Sequence, residues 1–448
     1  MKKEIHSKEF GENFVWGVST AAFQTEGAYN KDGKGLSIWD VFSLTKGNIR
    51  KNQTAKVSCD FYHRYKEDIL LMKSMNIKNF RFSISWSRIL PDGTGKINQK
   101  GIDFYNKVID FCLACNIEPW ITLYHWDLPH ALELKGGWTN REVLKWFSEF
   151  VTLSATCFGD RVKRWMVLNE PMVFTGGGYF LGVHAPGKKR LKNFLPALHH
   201  AQLAQATGGR ILRKLLPDSE IGTTYSCSYI VPKNHKPRNI KAAQKADALL
   251  NRLFIEPVLG LGYPKKDLPM LKRLDKYILP GDMENSKFQF DFIGIQNYTR
   301  EVVQHSYFVP YLQVKIVKAP KRNVTTTLMD WEVYPPSIYE MIGKYNNYEN
   351  IPKLIVTENG AAFKDKFKSG KVKDKKRKKY LITHIEQILK AKKEGKNIHG
   401  YFVWTFTDNF EWAEGYQPSF GLVHVDFETQ KRTVKHSGKW YKKFLAKT

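Results

Sequence analysis

The chain has 448 residues, with 71 Lys and Arg against 43 Asp and Glu, a formal net charge of +28. A hydrophobic fraction of 42% and a charged fraction of 25% are those of an ordinary soluble globular protein. No window reaches the apolar length of a membrane span, and five cysteines are too few and too scattered for a disulfide framework.

Taken in chain order, the N-terminal stretch from Met1 to His6 runs into Phe10-Gly11 without an apolar leader, which predicts a cytoplasmic protein. Short, near-continuous apolar runs then recur with amphipathic stretches between them. They are 14–22 (FVWGVSTAA), 79–85 (NFRFSIS), 118–125 (EPWITLYH), 164–170 (RWMVLNE), 220–227 (EIGTTYSC), 291–298 (DFIGIQNY), 354–358 (LIVTE) and 400–408 (GYFVWTFTD). Such runs suit parallel strands buried on both faces. Between the first two, Phe61, Tyr65, Ile69 and Met72 recur at helical spacing. Cys112-Leu113-Ala114-Cys115 falls inside a helical pattern over 105–116 with no second ligand pair, so buried thiols are expected there. Eight such units without a linker or composition break predict one α/β catalytic domain over 1–448, a single (β/α)8 TIM barrel. The chain is long after the first, fourth and sixth strands, over 27–57, 172–198 and 299–349. These long loops are expected on the C-terminal face, where barrel active sites are built.

Polar and aromatic residues crowd the C-terminal ends of these strands. Gln24 and Glu26 follow the first, Arg81 lies in the second, and His125-Trp126-Asp127 ends the third. Asn169-Glu170-Pro171 ends the fourth, Asn297-Tyr298 the sixth, Glu358-Asn359-Gly360 the seventh, and Trp404 through Glu411-Trp412 the eighth. A lone carboxylate after a strand is weak evidence, because helix N-caps favour Asp and Asn. Convergence on one mouth is a stronger signal. The fourth and seventh strands lie three steps apart around an eight-strand ring, so Glu170 and Glu358 would face each other across it. Cleavage of a glycosidic bond needs such a pair, one carboxyl to protonate the leaving oxygen and one to attack or to activate water.

These residues carry a family resemblance. The segments 14–27 (FVWGVSTAAFQTEG), 80–88 (FRFSISWSR), 123–129 (LYHWDLP), Asn169-Glu170-Pro171, Thr357-Glu358-Asn359-Gly360 and 408–412 (DNFEW) resemble, in collinear order, the motifs of glycoside hydrolase family 1. The resemblance implies a retaining β-glycosidase, most simply a β-glucosidase, with Glu358 as nucleophile and Glu170 as acid and then base. It implies that Arg81 and Tyr298 support Glu358, Arg81 lowering its pKa by opposite charge, and that Asn169 binds the sugar 2-hydroxyl. Gln24, His125, Trp126, Glu411 and Trp412 match positions that bind the other hydroxyls, with Phe420 at the edge of the sugar pocket. Trp404 matches an aromatic floor and Trp331 a platform for the leaving group. Glu411, with Pro418 after it, favours an unphosphorylated sugar, because a carboxylate repels phosphate.

Some positions depart from the family pattern. A common Asn-Tyr-Tyr reads Gln296-Asn297-Tyr298 here, 223–227 lacks a common Asn, and 417–420 (QPSF) differs from a common basic loop. The expected partner is a small β-glycoside or short oligosaccharide, with neither cofactor nor metal implied. The lysine-dense stretch 364–379 carries no nucleic-acid-binding motif and reads as a solvated loop and helix face. A silent sugar-binding barrel and a basic nucleic-acid-associated protein stay open as alternatives.

Overall fold

A computed structural model of the protein describes residues 5–446; the first four residues of the N-terminal stretch lie outside the described residues. Eight parallel strands close into a barrel. They are β1 (Val15–Ser19), β2 (Asn79–Ser83), β3 (Glu118–Tyr124), β4 (Arg164–Asn169), β5 (Glu220–Ser226), β6 (Phe292–Gln296), β7 (Lys353–Asn359) and β8 (Ile398–Trp404). Each strand predicted from an apolar run is present within a few residues of its expected bounds. Helices such as Phe61–Ser74, Gln99–Ala114, Val143–Phe158 and Lys375–Lys393 return the chain between strands. In Gln99–Ala114 the buried residues Ile102, Tyr105, Val108, Ile109 and Cys112 recur every three or four positions, forming the stripe that packs on the barrel. Burial of each large aliphatic side chain on such a stripe stabilises the fold by roughly 1.5–3 kcal/mol. Cys112 and Cys115 are buried free thiols, as expected of that stripe.

Inside the barrel, Trp120, Met166, Phe292, Ile355 and Phe402 form a closed apolar plug from five different strands, with Val15 packed against it. The plug is the floor on which the polar mouth stands. The long segments after β4 and β6 wall that mouth through His184 and Trp331, and the one after β1 backs it, Trp39 packing against Trp412. The sequence reading missed two features. The segment between β5 and β6 is also long, 227–291, and contains the helix Pro237–Asp247. A separate three-stranded sheet joins Tyr229–Pro232, Arg300–His305 and Val314–Ile316 outside the barrel. These short strands lack a strong alternating pattern and arise from pairing between two loops distant in sequence. The lysine-dense stretch forms a hairpin, Phe367–Lys368 with Lys371–Val372, and the first turns of the helix Lys375–Lys393. Arg377 alone turns inward there, binding Asp365 and Asp374.

Candidate active site

Strand register sets the site. Arg81 pairs with Ser19 on one side and Trp120 on the other, which points its side chain into the barrel just above the plug. Its Nε donates to Thr122 Oγ1 at 3.1 Å, and its two terminal nitrogens reach Glu358 Oε1 and Asn169 Oδ1, both at 2.5 Å. Tyr298 donates its hydroxyl to Glu358 Oε2 at 2.6 Å. Burial and the adjacent Glu358 hold the Tyr298 phenol far above its ordinary value, so it keeps the proton that it donates. Glu358 thus has a donor on each oxygen, Arg81 from β2 and Tyr298 from just beyond β6.

Glu170 has a different setting. It follows β4, adopts a left-handed backbone (φ 46°, ψ 62°) and caps the short helix Pro171–Thr175, with proline at the first helical position. A non-glycine residue there costs of order 1 kcal/mol; Trp126 and Trp412 also have positive φ, 78° and 46°. Three such residues at one mouth mark backbone held by its surroundings for the positions of its side chains. The Glu170 carboxyl is pushed well above the usual carboxylate range by burial and then by Glu358, with Ser226 and Arg81 opposing.

Glu358 departs from the expectation for its net pKa. Its pKa is raised, because burial outweighs the opposing effects of Arg81, Tyr298 and Gln296. Arg81 does lower it, as its charge requires, but does not bring it below the ordinary value. Two buried carboxyls sharing a site titrate as a pair, and the donors on Glu358 place the first negative charge there. The proton stays on Glu170.

Asn169 is fixed by four partners. Its Oδ1 accepts from Arg81, from Thr224 Oγ1 at 2.9 Å and from Gln296 Nε2 at 2.7 Å, while its Nδ2 meets His125 Nε2 at 3.1 Å. Burial and Arg81 hold His125 well below its ordinary pKa, so it is neutral. Its Nε2 then accepts from Asn169, leaving Nδ1 as a buried donor without a partner. Gln24 donates to Phe410 O at 3.0 Å and to Glu411 Oε2 at 3.3 Å, and its Oε1 is likewise buried and unpartnered. Unpaired buried polar atoms are costly; these two, beside Glu411, supply a donor and an acceptor for a hydroxylated ligand.

Glu170, Glu358, Glu411, His125, Trp126, Tyr298, Trp331, Trp404, Trp412 and Phe420 all line one cleft of about 410 Å³, while Gln24, Arg81 and Asn169 are buried behind it. Every site residue expected from the sequence is therefore in or directly behind this cleft. Trp404 and Phe420 share an apolar cluster with Tyr298 and Trp331 packed against it. Trp126 and Trp412 pack at 4.4 Å. Gly360 keeps β7 close to β8, since a Cβ there would collide with the Trp404 carbonyl. Of the broader polar set, Glu26 belongs to the supporting structure: it holds buried Arg88 at 2.8 Å and accepts from Tyr105 at 2.6 Å.

Burial and nearby Glu358 push Glu411 up to about 8, so it is mostly protonated at pH 7. Where Glu411 ionises, its charge adds to the exclusion of phosphate. The stronger obstacle is that no Lys or Arg lines the cleft among the described residues. The nearby Lys435 is bound to Asp365 and Asp408, both at 2.6 Å.

Sequence reasoning did not assign roles to Gln296 and Thr224, the donors that orient Asn169, or to His184, Ser226 and Glu301 in the cleft wall. Gln296 and the strand-five segment were visible as departures from the family pattern, and they meet at Asn169.

A family model described as "Glycosyl hydrolase family 1" matches residues 6–448. The chain is 44% identical to β-glucosidase A from Thermotoga maritima over 439 residues, covering 98% of each chain. It is also 44% identical to a 1,4-β-D-glucan glucohydrolase from Thermotoga neapolitana over 436 residues, covering 97% of each. A structure of the T. maritima family 1 β-glucosidase superposes with a TM-score of 0.95 at 43% identity, covering 98% of this chain and 99% of that one. The chain belongs to glycosyl hydrolase family 1.

Proposed function

We propose that the protein hydrolyses unphosphorylated β-D-glucosides by double displacement, with retention of configuration at the anomeric carbon. The observation that carries this reading is the unequal company of the two carboxyls. Glu358 is held by Arg81 and Tyr298, one on each oxygen, and Glu170 has no cation in contact.

In the first step Glu358 attacks the anomeric carbon while Glu170 gives its proton to the leaving oxygen, and a glycosyl ester forms on Glu358. Esterification removes the negative charge that helped to hold the Glu170 proton. Glu170 then becomes a base, takes a proton from water, and the ester is hydrolysed. Asn169 Nδ2, directed by its partners, donates to the 2-hydroxyl, an interaction that strengthens as charge develops on the ring. Gln24, His125, Trp126, Glu411 and Trp412 bind the other hydroxyls, with Trp404 as the floor and Phe420 at the edge. Trp331 faces the leaving group.

The cation-free cleft supports an unphosphorylated sugar, since a phosphate dianion would find no Lys or Arg there. The β-glucosidases among its relatives support glucose as the sugar. One catalytic domain spanning 1–448 fits the family match over 6–448. Five free cysteines suit a reducing, cytoplasmic compartment. The test is a panel of nitrophenyl β-glycosides, with NMR detection of the first-formed product anomer. Preferred turnover of the glucoside with β-glucose formed first is expected; α-glucose formed first overturns the double displacement.

A further inference from the structure

Among the titratable groups of the cleft wall, Glu301 is a carboxyl to which the reading above gives neither a partner nor a role. Glu301 lies three residues beyond Tyr298, on the strand Arg300–His305 that leaves the mouth. Its neighbour Arg300 turns away and is bound by Glu332 through two 2.9 Å hydrogen bonds, and Arg322 reaches the same Glu332 at 2.6 Å. The strand alternation therefore sends Arg300 to an internal ion pair and Glu301 to the cleft. The Glu301 side chain has no hydrogen bond or ion pair among the described residues, its backbone being paired in the strand ladder. Burial pushes its carboxyl up to about 7, with Arg322 opposing and Glu332 adding to the rise.

The position gives this carboxyl a direction in the reaction. Tyr229–Pro232 pairs with the Glu301 strand, Ile230 opposite Glu301, so Ser228 comes beside Thr299 at the start of the ladder. Ser226, Ser228, Thr299 and Glu301 line the cleft. They form a polar wall running outward from Ser226, which lies beside Glu170 and opposes the rise in its pKa. Glu170 protonates the oxygen that departs, so what lies along this wall is the leaving group. Met329 and Trp331 supply apolar and aromatic surface in the same cleft. An aryl or alkyl leaving group needs only such surface. An acceptor carboxyl with a hydroxyl-bearing wall is complementary to several O–H donors, which is the chemistry of a second sugar.

We propose that Glu301 is a specificity-determining residue whose carboxyl accepts hydrogen bonds from the hydroxyls of a leaving-group sugar, so that the cleft selects saccharides over aryl and alkyl aglycones. This inference rests on the β-glucosidase reading. By microscopic reversibility the same contacts hold a sugar acceptor that attacks the glycosyl ester in place of water.

The experiment compares wild type with Glu301→Ala on cellobiose and on 4-nitrophenyl β-glucoside, reading the ratio of the two kcat/KM values. Loss of a hydrogen bond to a charged group corresponds to about tenfold or more; the cellobiose-to-aryl ratio is expected to fall by that factor. A fall of less than about threefold overturns the proposal, as do parallel losses on both substrates, whatever their size. Glu301→Met fills similar volume without an acceptor and is held to the same criterion should the alanine variant fold poorly. A second readout is the yield of trisaccharide from cellobiose relative to glucose released, expected to fall in both variants and unchanged if Glu301 is merely structural. Wild type that cleaves neither substrate defeats the β-glucosidase reading itself; wild type that cleaves both, with an unaltered ratio in the variants, defeats only the role of Glu301.

Discussion

The two ends of the cleft are built differently. At the end that holds Gln24, His125, Asn169 and Glu411, nearly every side chain is fixed by a neighbour that is itself fixed. Asn169 has four partners, and Asp408 behind the loop holds Lys435, the Gly421 N–H and His424. Arg377 binds the Ser419 carbonyl from the same side. At the other end, Trp331, Met329, Val173 and Val183 come from long segments outside the barrel strands, and Glu301 has no partner. The contrast follows the chemistry. Charge develops on the sugar ring, and donors placed in advance stabilise it without reorganisation. The leaving group varies from one substrate to the next, and a wall built on loops suits that variety.

The largest expected effect removes the centre shared by both ends. Glu358→Ala should lower kcat for aryl β-glucosides by at least about 10⁴-fold, as loss of a covalent nucleophile does. Added azide should restore turnover and give the α-glucosyl azide, since it enters from the face that Glu358 occupied. Near-normal turnover by the variant would refute the mechanism.

Glu170→Ala tests the leaving-group end. In the glycosylation step cellobiose should lose about 10³-fold, while a dinitrophenyl glucoside, whose leaving group needs no proton, should lose about tenfold or less. Equal losses would remove Glu170 from the acid role. In wild type, kcat/KM should rise as pH rises through the Glu358 ionisation and fall as pH rises through that of Glu170. After burial, the Glu358 charge raises the Glu170 pKa, so a direct titration of Glu170 in Glu358→Gln should find its pKa lower than in wild type.

Glu411→Gln sharpens the sugar end. The expected loss in kcat/KM for glucosides is about 10²-fold, the scale for leaving a buried polar partner of the reacting sugar unsatisfied. Stability should move the opposite way. With its pKa at about 8 in the folded protein, Glu411 keeps a proton there that the unfolded chain releases. Its contribution is fully present below the ordinary carboxylate value and is lost as pH rises to about 8. The melting temperature of Glu411→Gln should therefore match wild type near pH 4.5 and exceed it at pH 8. Equal differences at both pH values would remove the titration of Glu411 as the cause.

The smallest effect is expected at Trp331→Ala. Aryl glucosides should lose about three- to tenfold in kcat/KM, the worth of an aromatic contact, while inhibition by glucose changes little. A larger effect on glucose than on the aryl leaving group would place Trp331 at the wrong end of the cleft.

The sequence by itself determined the barrel, its eight strands, and the motif residues at their ends that face the cleft. Near-continuous apolar runs separated by helical stripes can bury their surface in few other ways, and short motifs at strand ends place Arg81, Asn169, Glu170, Tyr298, Glu358 and Glu411 by register. Tertiary structure decided what depends on distance between segments far apart in sequence. Thr224 and Gln296 orient Asn169 from neighbouring strands; Glu26 is taken up by Arg88; the strands Tyr229–Pro232 and Arg300–His305 pair outside the barrel. Protonation belongs to the same class. Burial outweighs Arg81 at Glu358, raises Glu411 to about 8 and leaves the Glu301 carboxyl unpartnered in the cleft wall. Strand register is a local property of the chain, whereas desolvation depends on everything packed around a group.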